Sequence, residues 1–234
     1  WPGLTGRTRA TAPPVPDPTG AAAGVWVTPG GRLETTYQGD IAGMNIDDLA
    51  PGPTYTARLA ANTALSLPGA RDEERELILA VEGDDFRFEI GQSIALLMAG
   101  PLDFGQRHHG RLYSIASTPA EAGPGRVSIC VRRCSYVDPY SGERYPGIAS
   151  SYLCDLPIGA RLVIAGPVGL PFRIPDDSRA NLLMVGLGTG IGPFRALIRH
   201  IYAERGGWQG KVRLFYGART GLELAYLNDQ RSDV

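Results

Sequence analysis

The chain has 234 residues, of which 43% are hydrophobic, and its formal net charge is −1 at pH 7. A chain of this length can bury one or two hydrophobic cores. The charge lacks the basic excess that nucleic-acid binding needs, and no apolar run reaches the length of a membrane span. Three cysteines without a signal peptide are typical of a reducing compartment, so we expect a cytoplasmic protein.

The first segment, residues 1–53, is crowded with proline, glycine, alanine and threonine. Such a composition cannot bury enough apolar surface to fold alone. We interpret this segment as an arm or linker, leading either to an upstream domain or along the surface of a larger assembly.

The segment Arg111–Ser117 has the pattern of a β-strand and carries a cation, an aromatic ring and two hydroxyls at close spacing. In a strand, Arg111 and Tyr113 share one face and Ser114 lies on the other. The segment can therefore offer a guanidinium to a diphosphate, a ring face to a flat heterocycle and a hydroxyl to its edge. An ordinary half-exposed strand has the same pattern, so this segment alone does not identify a ligand.

The three cysteines, Cys130, Cys134 and Cys154, form no Cys-x-x-Cys pair. We therefore expect no zinc or iron–sulfur ligation within this chain.

An apolar run at Leu182–Leu187 is followed by Gly188, Thr189 and Gly190, and then by Pro193. The run is typical of a strand covered on both faces, and Pro193 suits the first turn of a capped helix. The glycines would let backbone N–H groups approach a diphosphate at the helix N-terminus. The spacing is not that of Gly-x-Gly-x-x-Gly, so a tight turn in any α/β domain is the alternative.

In this order, the two segments resemble the ferredoxin–NADP reductase family. The resemblance implies a β plus α/β fold, with an antiparallel FAD-binding β-barrel over residues 54–178 and the N-terminal part of an NAD(P)-binding domain over residues 179–234. We expect the chain to be a fragment, because the later strands of that domain are missing. The other similar segments are Tyr55–Arg58, Gly91–Ile94, Ser128–Arg133, Gly147–Leu156, the turn Gly166–Gly169 and Leu214–Thr220, with Glu223 and Tyr226 after them.

The resemblance implies that the chain binds FAD as its cofactor. Arg111 would bind the FAD diphosphate, and Tyr113 would lie against the isoalloxazine ring. Ser114 would orient the nicotinamide near flavin N5, so Tyr113 and Ser114 are the expected catalytic residues. We expect His108 and His109 to be exposed loop residues. The further expected FAD-binding residues are Ser117, Cys130, Val131, Arg132, Tyr136 (which would stack on adenine), Gly147, Ile148, Ala149 and Ser150.

NADP or NAD is the implied co-substrate. Gly188, Thr189 and Gly190, with Pro193 behind them, would hold its diphosphate, and Arg219 would meet its ribose or phosphate. In the family the missing strands carry 2′-phosphate recognition, so the choice between NADH and NADPH stays open.

The resemblance thus implies an oxidoreductase that passes hydride between NAD(P)H and FAD. Single electrons would then pass between FAD and a ferredoxin, a flavodoxin or an oxygenase-type redox protein. The alternative is a reductase-like FAD module that serves as a structural or electron-relay subunit of a larger complex. The long arm and the incomplete nucleotide half motivate that alternative.

Overall fold

A computed structural model describes residues 52–99 and 108–226, so nearly all of the predicted arm lies outside the described residues. The described elements are, in chain order, β1 (Thr54–Ala64), β2 (Glu74–Val81), β3 (Ser93–Ala99), β4 (His108–Ser114), α1 (Pro119–Ala122), β5 (Arg126–Arg132), β6 (Ser135–Val137), β7 (Arg144–Pro146), α2 (Ile148–Asp155), β8 (Arg161–Val168), β9 (Leu182–Leu187), α3 (Ile191–Arg199) and β10 (Val212–Gly217). A 3₁₀ turn, Gly188–Gly190, precedes α3, and a π-helical turn, His200–Glu204, follows it.

Six strands form an antiparallel sheet in the order β4-β3-β8-β1-β2-β5. Its two outer strands meet, because Ile115 after β4 bridges to Ile129 in β5. The Ala116 N–H also donates to the Ser128 carbonyl at 2.8 Å. These contacts close the sheet into a barrel.

The barrel core follows from the two-residue period of its strands, which turns alternate side chains inward. In β2 this places Leu77 and Leu79 at 0% exposure, and Ile115 and Ile164 are equally buried. Helix α2 covers the core with Leu153, which is also fully buried. Each such side chain contributes about 1.5–3 kcal/mol through its removal from water.

The second unit consists of the parallel strands β9 and β10 with α3 packed on one face. Met184 in β9 contacts Leu197 and Ile201 there, in one buried cluster. Phe194 in α3 stacks on Phe172 in the connection between the two units, with ring centroids 5.8 Å apart. The predicted fold class, an antiparallel barrel followed by part of an α/β domain, is confirmed.

Two expectations about these elements are wrong. Strand β9 is covered on one face only by the described residues: α3 lies on the Met184 side, and Leu183 on the opposite face is 67% exposed. The segment Gly166–Val168 belongs to β8 and not to a turn, since Val168 still pairs with Ser93.

No helix in the described part of the chain is long and apolar enough to cross a membrane.

Candidate cofactor site

The end of β4 presents the residues expected to meet a flavin. Tyr113 is half-buried against the barrel core, whereas Leu112 is 47% exposed and Ser114 is exposed, which is the alternation a strand requires. Burial raises the pKa of the Tyr113 phenol, so its hydroxyl stays protonated at neutral pH. Arg111 is half-buried and forms no ion pair with any described residue.

His108 and His109 lie at the start of β4, so the expectation that they belong to a loop is wrong. They occupy the strand because they pair with Ala99 and Met98 in β3. His109 is half-buried, and burial lowers the pKa of its imidazole.

The residues after β4 are buried and hold the barrel closed. Ser117 is 2% exposed, and its hydroxyl accepts a hydrogen bond from the Ser128 N–H at 3.0 Å. This hydroxyl is therefore engaged within the protein, and a contact with FAD would have to share it.

The start of α2 is held by a small hydrogen-bonded network around Gly147. The Gly147 N–H donates to the Cys134 carbonyl at 2.9 Å, and the Cys134 N–H donates to Ser150 Oγ at 3.1 Å. A Cβ atom on Gly147 would come within 2.7 Å of Ser150 Oγ, so only glycine fits there without a shift. The Ser150 hydroxyl thus shapes the turn rather than pointing into open space.

The first turn of α2 offers backbone donors to an anion. Gly147 caps this helix without a side-chain hydrogen bond, and the first N–H groups of a helix have no intrahelical acceptor. Ile148 and Ala149 therefore present N–H groups at the positive end of the helix, where an anion is stabilised.

The expected site residues in β5 are placed differently from one another. Val131 is 1% exposed in the barrel core, so only its backbone can face a ligand. Cys130 is 7% exposed and packs against Ile191 and Tyr226, and burial raises the pKa of its thiol well above the ordinary value. Arg132 keeps 24% of its side chain exposed, and its guanidinium lies 3.9 Å from Asp72.

Tyr136 lies in β6, pairs with Tyr145 in β7 and is 37% exposed. Its ring is available on the surface of this hairpin, as stacking on a base would require.

The glycine turn approaches the barrel beside Arg132. A Cβ atom on Gly188 would lie 3.5 Å from Glu74 Oε1 and 4.0 Å from Arg132 Nη1, and Gly188 has a φ of +51°. Thr189 and Gly190 are half-buried. Helix α3 begins at Ile191 behind Gly190, which has no side chain to cap it.

Pro193 is the third residue of α3 and is buried, so its ring packs in the first helical turn, as its fixed φ allows.

Arg219 is paired with the barrel. Its Nη1 lies 2.6 Å from Asp72 Oδ2, while 55% of its side chain remains exposed. This ion pair holds Arg219 at the edge of the interface between the two units. Its contact with a nucleotide stays a prediction.

Sequence reasoning missed a buried acidic pair behind the glycine turn. Glu74 is 2% exposed and Glu223 is 4% exposed, and one carboxylate oxygen of each lacks a hydrogen-bond partner among the described residues. Burial raises the pKa of Glu74 to about 7; Arg132 lowers it, whereas Glu223 and Asp72 raise it further. Glu74 belongs to the charged run Arg71–Glu76, which as a sequence is typical of an exposed loop.

These segments converge on one surface. Helix α2 contacts β4 and β5, and the glycine turn contacts β5. Both backbone segments thus lie against β5, with Tyr113 and Arg111 on the neighbouring strand β4 and Arg132 beside Gly188. This arrangement suits an extended ligand with diphosphates and flat rings.

Known proteins share much of this sequence. The family model described as "Oxidoreductase NAD-binding domain" matches residues 184–232. A ferredoxin–NADP reductase of Spirulina sp is 38% identical over 181 residues, which is 75% of this chain and 62% of that protein. The chloroplastic ferredoxin–NADP reductase of Spinacia oleracea is 34% identical over 189 residues, which is 79% of this chain and 51% of that protein.

Solved structures show the same fold. The ferredoxin–NADP⁺ reductase from Plasmodium falciparum superposes with a TM-score of 0.59 at 20% identity, covering 75% of this chain and 62% of that one. The same enzyme with 2′P-AMP gives a TM-score of 0.60 at 19% identity, covering 79% and 66%. The chain thus spans between about half and two thirds of the length of these proteins.

Proposed function

Because the chain belongs to the ferredoxin–NADP reductase family, we propose that it binds FAD in the barrel and forms part of an oxidoreductase that passes hydride between NADPH or NADH and that flavin. The observation that supports this proposal is a pair of backbone segments, both in contact with β5, whose N–H groups are suited to bind anions. One is the uncapped start of α2 on the barrel, and the other is the glycine turn before α3. A reductase of this kind must hold two diphosphates, one on each unit.

The residues present fit FAD at the barrel. Gly147 leaves no room for a Cβ, and the N–H groups behind it have no side-chain cap. Arg111 has no competing ion pair among the described residues, so its guanidinium is available for two parallel hydrogen bonds to a diphosphate. Tyr113 supplies a neutral ring beside it, where it excludes water from the flavin. FAD, when bound, supplies both hydride and single-electron chemistry.

The glycine turn suits the diphosphate of the pyridine nucleotide. Its backbone can approach closely because Gly188 and Gly190 have no side chains, and Arg132 provides a nearby positive charge. Ser114, exposed at the end of β4, is the group we assign to orienting the nicotinamide at the flavin edge. The protein thereby contributes proximity and orientation to the transfer.

We propose a ferredoxin as the electron partner, because the relatives are named ferredoxin–NADP reductases. A flavodoxin or an oxygenase-type redox protein would require the same single-electron step from FAD, so the partner is a matter of surface recognition. The domain boundaries near residues 53 and 178 belong to the same proposal. Val168 ends the last barrel strand and Leu182 begins the first strand of the second unit.

The test is titration of the purified apoprotein with FAD, in which quenching of flavin fluorescence measures binding. Wild type should bind FAD, and Arg111→Ala should weaken binding at least about tenfold, because hydrogen bonds to charged groups contribute about 1.5–3 kcal/mol. Arg58→Ala is the matched control: Arg58 is a barrel arginine 47% exposed and paired with Glu82, so its loss should leave FAD affinity unchanged. A folded wild-type protein without affinity for FAD would overturn the proposal.

A further inference from the structure

Arg195, on the second turn of α3, is a buried cation whose hydrogen bonds reach across to the barrel. Its side chain is 7% exposed. Nη2 donates to Glu121 Oε1 at 2.7 Å, and Nη1 donates to Glu121 Oε2 and to the Ala116 carbonyl, both at 3.2 Å. One guanidinium thus binds a side chain in α1 and the backbone two residues after Ser114.

Tyr226 covers the other side of the same guanidinium. Arg195 Cζ lies 4.8 Å from the centre of the Tyr226 ring, which is a cation–π distance. Tyr226 is 5% exposed, has a left-handed φ of 64°, and its hydroxyl donates to Glu76 Oε1 at 3.3 Å. Arg195 is therefore fixed from two directions, and its planar fork cannot turn without losing contacts.

A second contact fixes the helix one turn earlier. A Cβ atom on Gly192 would lie 3.0 Å from Ala116 Cβ, so the α3 backbone approaches the barrel at Ala116 as closely as glycine permits. Gly192 and Arg195 are three residues apart and hence lie on one face of α3. Contacts at both positions set the distance of α3 from the barrel and its rotation about its own axis.

The distance and rotation of α3 determine where the glycine turn lies relative to the end of β4. The glycine turn runs directly into α3, and Ser114 precedes Ala116 by two residues. We propose that Arg195 is a positioning residue for hydride transfer, which sets where the glycine turn holds the nicotinamide relative to the flavin edge at Ser114. This inference rests on the proposed function. In it, Arg195 acts through the position of α3 and touches neither FAD nor nucleotide.

The expected consequence is a loss of rate with little loss of binding. Transfer between two rings needs the reacting atoms about 3–3.5 Å apart, and a misplacement of about 1 Å can cost roughly a hundredfold in rate. The Arg195 guanidinium hydrogen-bonds to Glu121 and Ala116, and neither residue is among the groups assigned to the FAD diphosphate, which are Arg111 and the first N–H groups of α2. FAD affinity should therefore stay constant, whereas the hydride-transfer step should slow.

The test compares three single variants of the full-length, FAD-loaded protein. Arg195→Lys keeps the charge but lacks the planar fork that binds both oxygens of the Glu121 carboxylate in parallel. Glu121→Gln keeps the shape of the acceptor and removes its charge, and it remains informative should Arg195→Lys fail to fold. Arg199→Gln is the control, because Arg199 also lies 3.2 Å from Glu121 but is 35% exposed.

Anaerobic single-turnover reduction at saturating NADPH or NADH gives the rate constant, and the charge-transfer absorption between nicotinamide and flavin reports their stacking. Arg195→Lys and Glu121→Gln should each slow reduction roughly tenfold to a hundredfold and weaken the charge-transfer band, with FAD affinity unchanged. Arg199→Gln should stay within about twofold of wild type.

The outcomes separate the two proposals. Wild-type flavin that neither nucleotide reduces would overturn the proposed function, and this inference with it. Normal reduction of the wild type, together with unchanged rate and charge-transfer band in Arg195→Lys and Glu121→Gln, would overturn the positioning role alone. An equal loss of FAD affinity and rate in these variants would also overturn it, because that pattern reports a general loss of structure.

Discussion

Replacement of Glu74 by glutamine should stabilise the protein, and more so at high pH. Glu74 is 2% exposed, and its Oε2 has no hydrogen-bond partner among the described residues. Burial raises the pKa of its carboxyl group from 4.5 to about 7, against the attraction of Arg132. Ionisation of Glu74 in the folded protein is therefore costly, and glutamine has a similar shape without that cost.

The magnitude follows from linkage between proton binding and folding. Between pH 4.5 and about 7 the folded state holds a proton that the unfolded chain has released, so the free energy of unfolding decreases as pH rises through this window. At about 1.4 kcal/mol per pH unit, the full decrease is about 3 kcal/mol. Glu74→Gln should thus match wild type near pH 4.5 and exceed its unfolding free energy by up to about 3 kcal/mol above pH 7.

Urea unfolding of both proteins across this pH range measures the difference. Glu82→Gln is the matched control, because Glu82 is 41% exposed and pairs with Arg58 and Arg161 on the barrel surface. It should give only a small destabilisation, as exposed ion pairs contribute at most about 1 kcal/mol. Parallel pH profiles for Glu74→Gln and wild type would refute the reasoning.

Further predictions concern the proposed cofactors. Heating the FAD-loaded protein should release intact flavin, because no cysteine or histidine lies in Arg111–Ser117 to bond it covalently; flavin retained on the denatured chain would contradict this. Gly190→Val should block nucleotide binding, because the new side chain would occupy the place proposed for the diphosphate. The variant should still fold and bind FAD, since Gly190 has a φ of −64° that valine tolerates; equal loss of flavin would argue against two separate sites. Ser114→Ala should keep FAD and slow its reduction roughly a hundredfold in stopped-flow experiments, with a much smaller effect on nucleotide affinity; an unchanged rate would make Ser114 a structural residue. Nucleotide affinity should fall as pH rises through about 7, because an anion at Gly188 favours protonated Glu74, and this dependence should vanish in Glu74→Gln.

Local sequence patterns predicted most of the elements correctly, because the formation of a strand or a turn depends largely on residues that are close in sequence. The alternation around Tyr113 and the glycine turn before α3 follow from strand period and backbone freedom, which a sequence displays directly. The resemblance to a family located the helix start at Gly147.

Features that depend on distant partners were not predictable. Arg195 is separated from Glu121 by 74 positions and Arg219 from Asp72 by 147, so no local pattern reports these pairs. The hydrogen bond that the Ser150 hydroxyl accepts from the Cys134 N–H spans 16 positions and was not predicted either. Glu74 is buried beside Gly188 of the second unit, a contact that a charged run in the sequence does not reveal.

We propose that a pyridine nucleotide bound at the glycine turn reduces FAD bound at the barrel. The most direct measurement is anaerobic mixing of the full-length, FAD-loaded protein with NADPH and, separately, NADH, while the absorption of oxidised flavin is followed. We expect rapid bleaching by at least one nucleotide, and recovery of the band when oxidised ferredoxin is added. A protein that binds FAD and nucleotide but whose flavin stays oxidised would contradict it.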